Sequence, residues 1–326
     1  RMLKLNGQVM VKEAIRTVNL SKRYGTKNVV NNLNLSIKPG EVVGFLGLNG
    51  AGKTTTMRMM LGLIKSTSGE CYIQGKKLDL SNLELRNEIG YIIETPYSYP
   101  DLTVRENLEI VSKLRGVNKD NIDWVIEKLK LKQYEHKQEK HLSLGNVARL
   151  GIAKAIIHKP KILILDEPTN GLDPFGVIEV RELLKELANN LGTTVLISSH
   201  NLEEISKIAT RIVIIHEGRL IREVESNELE QYLEKKLLVS GSNNKAMKEV
   251  LSNHGYQVNI QSDTENNIHF LELTDRKSVE CPEEIATLRV HAGYPPKSLA
   301  VEKEDLEHYF LRILNDYNGG ISNEKA

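Results

Sequence analysis

The stretch Gly47-Leu48-Asn49-Gly50-Ala51-Gly52-Lys53-Thr54 constrains this chain more than any other. It fits G-x-x-x-x-G-K-[ST] and lies between an apolar run, Val42 to Leu46, and a helix-like run that begins at Thr54. Strand, glycine-rich loop and helix in that order make a phosphate-binding loop. The glycines let successive backbone N–H groups converge on phosphate oxygens, and the following helix points its positive end at them. Asn49, Gly50, Ala51, Gly52, Lys53, Thr54 and Thr55 are the candidate nucleotide contacts, with Lys53 neutralising charge and the Thr54 hydroxyl placed to ligate Mg²⁺. The fold class this implies is α/β.

Composition sets the frame around the loop. A chain of 326 residues with 40% hydrophobic content suggests about two domains with real cores. Its 44 basic and 43 acidic residues leave a net charge of +1, with no Lys/Arg block, so nucleic acid is not an expected partner. Cys71 and Cys281 stand far apart without a C-x-x-C spacing, which points to neither a disulfide framework nor a metal site and favours a reducing compartment. No apolar run approaches the roughly 18 residues of a spanning helix, and no signal peptide is visible. Arg1 is not an initiator and Met10 precedes the first strand pattern, so residues 1–10 read as an N-terminal extension without assigned function.

Around the loop, strand patterns fall at Thr17 to Leu20, Leu33 to Ile37, Cys71 to Ile73 and Ile89 to Ile93, the last ending at Glu94. Tyr24, ahead of the loop, is either a purine-stacking ring or an ordinary surface tyrosine. From Thr95 to Thr103 the pattern changes. Pro96 and Pro100 interrupt it, Tyr97, Tyr99 and Leu102 supply anchors, and helices follow at Val104 to Leu114 and Ile122 to Leu131. Residues 95–158 thus read as an inserted helical subdomain where a partner can dock. Farther on, Leu142-Ser143-Leu144-Gly145-Asn146 opens a helix, and Ile162 to Leu165 is an apolar strand that delivers Asp166 and Glu167. Carboxylates at the C-terminal end of a parallel strand emerge beside the phosphate loop, where Asp166 can hold the Mg²⁺ shell and Glu167 can polarise water. Asp173-Pro174 is a helix cap and first position before Phe175 to Leu187, and His200 follows the apolar strand Thr194 to Ser198 at the same end as the carboxylates, where it can reach a γ-phosphate.

Five motifs in this order, the loop, Leu142 to Asn146, Ile162 to Glu167, Gly171-Leu172-Asp173 and His200, resemble the ATP-binding subunits of ABC transporters. The resemblance implies a P-loop NTPase domain over residues 11–225 that binds ATP and Mg²⁺ and pairs head to tail with a second copy, each ATP closed against the other copy's Ser143, with Gly145 and Asp173 beside it. It implies adenine stacking for Tyr24, the general-base role for Glu167, and a separate permease that holds the subunit at the cytoplasmic face of the membrane. Two departures stand out. Leu144 replaces a usual glycine, and Glu94 replaces a strand-end glutamine that contacts Mg²⁺ and the reacting phosphate. With Ile93-Glu94-Thr95-Pro96 and the run Tyr99 to Asn107, they resemble the exporters of bacitracin and lantibiotic self-protection. A soluble ABC-type ATPase acting on a macromolecular assembly, and a catalytically impaired regulatory subunit, are the competing readings.

Beyond Ile221 the motifs stop, and residues 226–236 read as a charged linking helix. Patterns at Leu237 to Val239, Ala246 to Leu251, Tyr256 to Ile260, Ile268 to Leu273, Pro282 to Val290 and Ser298 to Val301 suggest βαββαβ, a small ferredoxin-like α+β domain over residues 237–316 before a tail at 317–326. Leu306, Tyr309, Phe310, Ile313 and Leu314 form an apolar stripe at helical spacing that closes it. No polar constellation there suggests a site, so a packed accessory domain is expected.

Overall fold

The computed structural model describes residues 4–5, 8–9, 13–79, 83–94, 98–263 and 268–324. Of the stretch from Thr95 to Thr103, Thr95, Pro96 and the expected anchor Tyr97 lie outside the described residues. The chain divides into two compact units, Arg1–Glu228 and Leu229–Ala326.

In the first unit, strands β1 (Ile15–Tyr24) and β2 (Lys27–Ile37) form a hairpin, followed by β3 (Val42–Leu46) and helix α1 (Lys53–Met60). Then come β4 (Ser68–Ile73), β5 (Lys76–Lys77), β6 (Ile89–Ile92) and the helices α2 (Val104–Arg115), α3 (Lys119–Lys128) and α4 (Leu144–Ile156). The unit finishes with β7 (Ile162–Asp166), α5 (Pro174–Leu191), β8 (Thr194–Ser199), α6 (Leu202–Ser206), β9 (Arg211–His216) and β10 (Arg219–Glu225).

The central sheet has the order β10-β9-β3-β8-β7-β6. Every neighbouring pair is parallel except the edge pair β9/β10. Strands β3, β7 and β8 are buried at every residue, which is why they read as unbroken apolar runs: helices or a second sheet cover both faces of a parallel sheet. Parallel order also brings the C-terminal ends of five strands to one edge, where ligands bind in open α/β sheets. A second, antiparallel sheet, β2-β1-β4-β5, shares a core with α1 and the central sheet, with Leu33, Ile37, Phe45, Met57, Met60 and Ile89 all inaccessible.

Helix α2 starts on a capping box, Thr103 with Glu106, and stops at Gly116 in the left-handed region (φ 66°). Buried Asn107 fastens the loop before it, accepting from Tyr99 N at 2.9 Å and donating to Tyr99 O at 3.1 Å. Arg105 grips Glu135 and Asp123, each at 2.7 Å, and together with Lys132 holds the Glu135 carboxyl down at about 2.

The second unit runs β11 (Lys235–Gly241), α7 (Asn244–Asn253), β12 (Val258–Asp263), β13 (Ile268–Leu273), α8 (Arg276–Glu280), α9 (Pro282–His291), β14 (Pro296–Lys303) and α10 (Leu306–Glu324). Its sheet, β12-β13-β11-β14, is antiparallel throughout. Leu237, Val239, Met247, Leu251, Leu271, Leu273 and Ile285 make its core.

Two sequence expectations are corrected. Residues 226–236 are not a helix: a single 3-10 turn at Leu229–Tyr232, with Leu229 buried, leads into β11, because Lys235 and Lys236 are already paired with β14. The hairpin β9–β10 went unread, although it extends the central sheet past Ile221.

Candidate nucleotide site

The loop between β3 and α1 is shaped by its glycines. Gly50 (φ 82°) and Gly52 (φ 102°) take left-handed conformations, and a Cβ on Gly52 would sit 2.6 Å from the Val29 carbonyl of β2. The unread hairpin closes the other side. Its turn residue Gly218 donates to Ala51 O and accepts from Asn31 N, both at 2.9 Å, so the phosphate loop is stitched to β2 through β9–β10.

Polar side chains then converge on the loop from the ends of β7 and β8. Buried Lys53 donates from Nζ to Gly47 O at 2.5 Å and lies 3.5 Å from Glu167 Oε1. Thr54 Oγ1 donates to Asp166 Oδ2 at 2.6 Å. Ser198, fully buried on β8, holds both acids in register: its hydroxyl donates to Asp166 Oδ1 at 2.6 Å and accepts from Glu167 N at 3.0 Å. Glu167 itself takes a left-handed backbone (φ 49°), and His200 Nδ1 lies 3.0 Å from its Oε2. Sequence reasoning missed Ser198; the signal was a pair of serines ending an apolar strand beside the acidic one. An open groove of about 180 Å³ is lined by loop residues, Val29, Asp166 and Glu167.

The other site candidates lie elsewhere. Tyr24 is half exposed at the tip of β1, its ring 4.9 Å from Lys22 Nζ and outside the groove lining. Ser143 caps α4, accepting from Asn146 N at 3.3 Å, and Asp173 caps α5, accepting from Gly176 N at 3.1 Å. These two caps adjoin, since a Cβ on Gly145 would lie 3.5 Å from Gly171 O. Leu144 and Phe175 are 79% and 76% exposed beside them, so apolar surface flanks the two helix starts. Glu94 is exposed, left-handed (φ 59°) and paired with Arg58 of α1 at 2.6 Å rather than facing the groove.

The family model described as "ABC transporter" matches residues 30–170. The bacitracin transport ATP-binding protein BcrA of Bacillus licheniformis is 40% identical over 92% of this chain and 97% of its own length. The chain belongs to the ABC transporter ATP-binding proteins. BcrA of Enterococcus faecalis is 39% identical over 96% of this chain and 100% of its own, and the lantibiotic transport ATP-binding protein SrtF of Streptococcus pyogenes is 40% identical over 69% of this chain and 97% of its own. Among solved structures, the first unit's fold is matched by an ATP-binding subunit of an ABC transporter (28% identity, TM-score 0.62, 67% of this chain, 92% of that one). A dimeric ATP-binding cassette in a post-hydrolysis state with ADP and Pi is 29% identical, with TM-score 0.61, covering 65% of this chain and 98% of that one.

This transporter subunit is an ATPase that uses ATP and Mg²⁺. Its residues fit the pair. The Thr54 hydroxyl and an Asp166 carboxylate oxygen meet at 2.6 Å, the hard-oxygen set that Mg²⁺ takes alongside phosphate oxygens and water, and Lys53 supplies the countercharge. When bound, the cation neutralises charge on the phosphates undergoing transfer. No helix among the described residues is long and apolar enough to cross a membrane; the transporter ATP-binding proteins of this family work with permease subunits.

Proposed function

We propose that this subunit powers export of a peptide antibiotic of the bacitracin type through a separate permease, from the cytoplasmic face of the membrane. The carrying observation is the reach of the match. SrtF aligns over 227 residues, about the length of the first unit, whereas the B. licheniformis BcrA aligns over 308 and must include much of the second. Bacitracin is therefore favoured over a lantibiotic as substrate.

In this reading two copies pair head to tail. The groove's 180 Å³ is below the roughly 300–1,000 Å³ of a complete ligand pocket, as suits half of a shared site. Ser143, Gly145 and Asp173 serve the partner's ATP rather than their own, and the exposed Leu144 and Phe175 frame that contact. Tyr24 stacks on adenine. Asp166 and Thr54 hold the cation; Glu167 takes the proton of the attacking water; His200, bonded to Glu167, faces the terminal phosphate. Glu94, paired with Arg58, would be a further carboxylate available to the cation, and it precedes the Tyr99 loop, where the permease docks. Cells given this chain with the permease encoded beside it should resist bacitracin, and Glu167→Gln should remove that resistance. Resistance to nisin alone would replace the substrate class; resistance to neither contradicts the proposal.

A further inference from the structure

We infer that the second unit binds a small oxyanion, a carboxylate or a phosphate, at the end of its sheet where Arg289, Gly241 and the first turn of α7 meet. Arg289, near the C-terminus of α9, has no accessible surface. Its Nε donates to Tyr294 O at 3.2 Å, but Nη1 and Nη2 are buried without a hydrogen-bond partner. Among the described residues no acid pairs with it, and burial alone acts on its charge, pushing the guanidinium below its usual range. A buried, unpaired cation is a poor packing residue, since an apolar side chain of similar volume fills the same space without the desolvation cost.

The surroundings are those of a receptor. With Nε engaged, the outer edge of the guanidinium presents two parallel donors, the geometry that grips both oxygens of a carboxylate or phosphate. Gly241 at the end of β11 makes room for it: a Cβ there would lie 2.1 Å from Nη2. Two residues on, Asn243 (φ 51°) caps α7, its side chain accepting from Ala246 N at 3.2 Å. Thus the positive end of a ten-residue helix starts just after the glycine that packs on the guanidinium. Ser242 and Asn243, between Gly241 and α7, are exposed, and a ligand would reach the guanidinium past this turn.

The test is hydrogen exchange on the full-length, nucleotide-free protein with acetate, L-glutamate or inorganic phosphate at constant ionic strength. At ten times its Kd, a probe should slow exchange in segments 241–247 and 289–295 by about tenfold. Protection by the carboxylates alone assigns a carboxylate ligand, and protection by phosphate alone assigns a phosphate. Arg289→Leu and Gly241→Ala should each abolish the effect while ATP affinity stays unchanged; the second keeps the test open should the first not fold. No response to any probe in the wild type, or protection that survives in the variants, overturns the site.

Discussion

Strands β6 and β7 lie side by side, and just past each comes a glutamate with left-handed backbone, Glu94 at φ 59° and Glu167 at φ 49°. Such a conformation costs a non-glycine residue about 1–3 kcal/mol and persists only where the surroundings impose it. At Glu167 they do: Ser198 takes its N–H, and Lys53 and His200 flank its carboxylate, leaving the side chain 19% exposed. At Glu94 the side chain is 61% exposed and, among the described residues, pairs with Arg58 alone. A pair so exposed contributes about 0–1 kcal/mol, less than the strain beside it. The same backbone conformation thus carries a tightly held carboxylate just past β7 and a loosely held, exposed one just past β6.

The largest break in this contrast should come from Lys53→Ala, which leaves Glu167 without its cation. Lys53 also offsets the charge of the bound phosphates, and leaving a buried charge uncompensated costs about 3 kcal/mol or more, so ATP affinity should fall by at least about 10²-fold in equilibrium binding. Next is Ser198→Ala, which unties Asp166 and Glu167 together. Leaving their buried groups unsatisfied should cost about 1–3 kcal/mol in thermal or urea unfolding and reduce ATP turnover by roughly tenfold. Unchanged turnover would mean that the register of the acids is set elsewhere.

Smaller effects belong to the β6 side. Glu94→Gln should keep ATP affinity within about tenfold, roughly 1.4 kcal/mol, while weakening coupling of hydrolysis to bacitracin resistance; if resistance and turnover both match wild type, Glu94 is a neutral replacement. The smallest is a pH effect. His158, after α4, is held neutral by burial and by the nearby Arg115, its pKa lowered to about 4 from 6.5. Because the unfolded imidazole takes a proton first, this stability is present above about pH 6.5 and is lost as pH falls toward 4. Protection factors around β6, taken relative to the intrinsic exchange rate at each pH, should fall between pH 7 and pH 5, and His158→Phe should remove the dependence.

Legibility followed the physics of each region. The loop, Asp166 and Glu167 were readable because phosphate binding demands glycines and fixed offsets in one short stretch. Buried strands such as β7 announced themselves by apolar runs. Ser198 showed in sequence only as one of two serines ending an apolar strand, since its role depends on β8 lying beside β7, and the Gly218 turn supports Ala51 across a separation no local pattern encodes. The Glu94–Arg58 pair joins a strand end to a helix in the same way. In the second unit, periodicity marked the helices and strands, but Arg289 reads as an ordinary surface arginine until α9 packs it against Gly241. Residues 226–236 looked helical because charged residues have fair helix propensity, yet Lys235 and Lys236 pair with β14 instead.

The central claim is that the Glu167 carboxylate, fixed just past β7, is needed for hydrolysis and not for ATP binding. It is tested most directly by measuring ATP affinity and steady-state hydrolysis on one preparation of Glu167→Gln. The account predicts ATP affinity close to wild type with turnover reduced by about 10²–10⁴-fold, the scale of a general base. Wild-type turnover in that variant would contradict it.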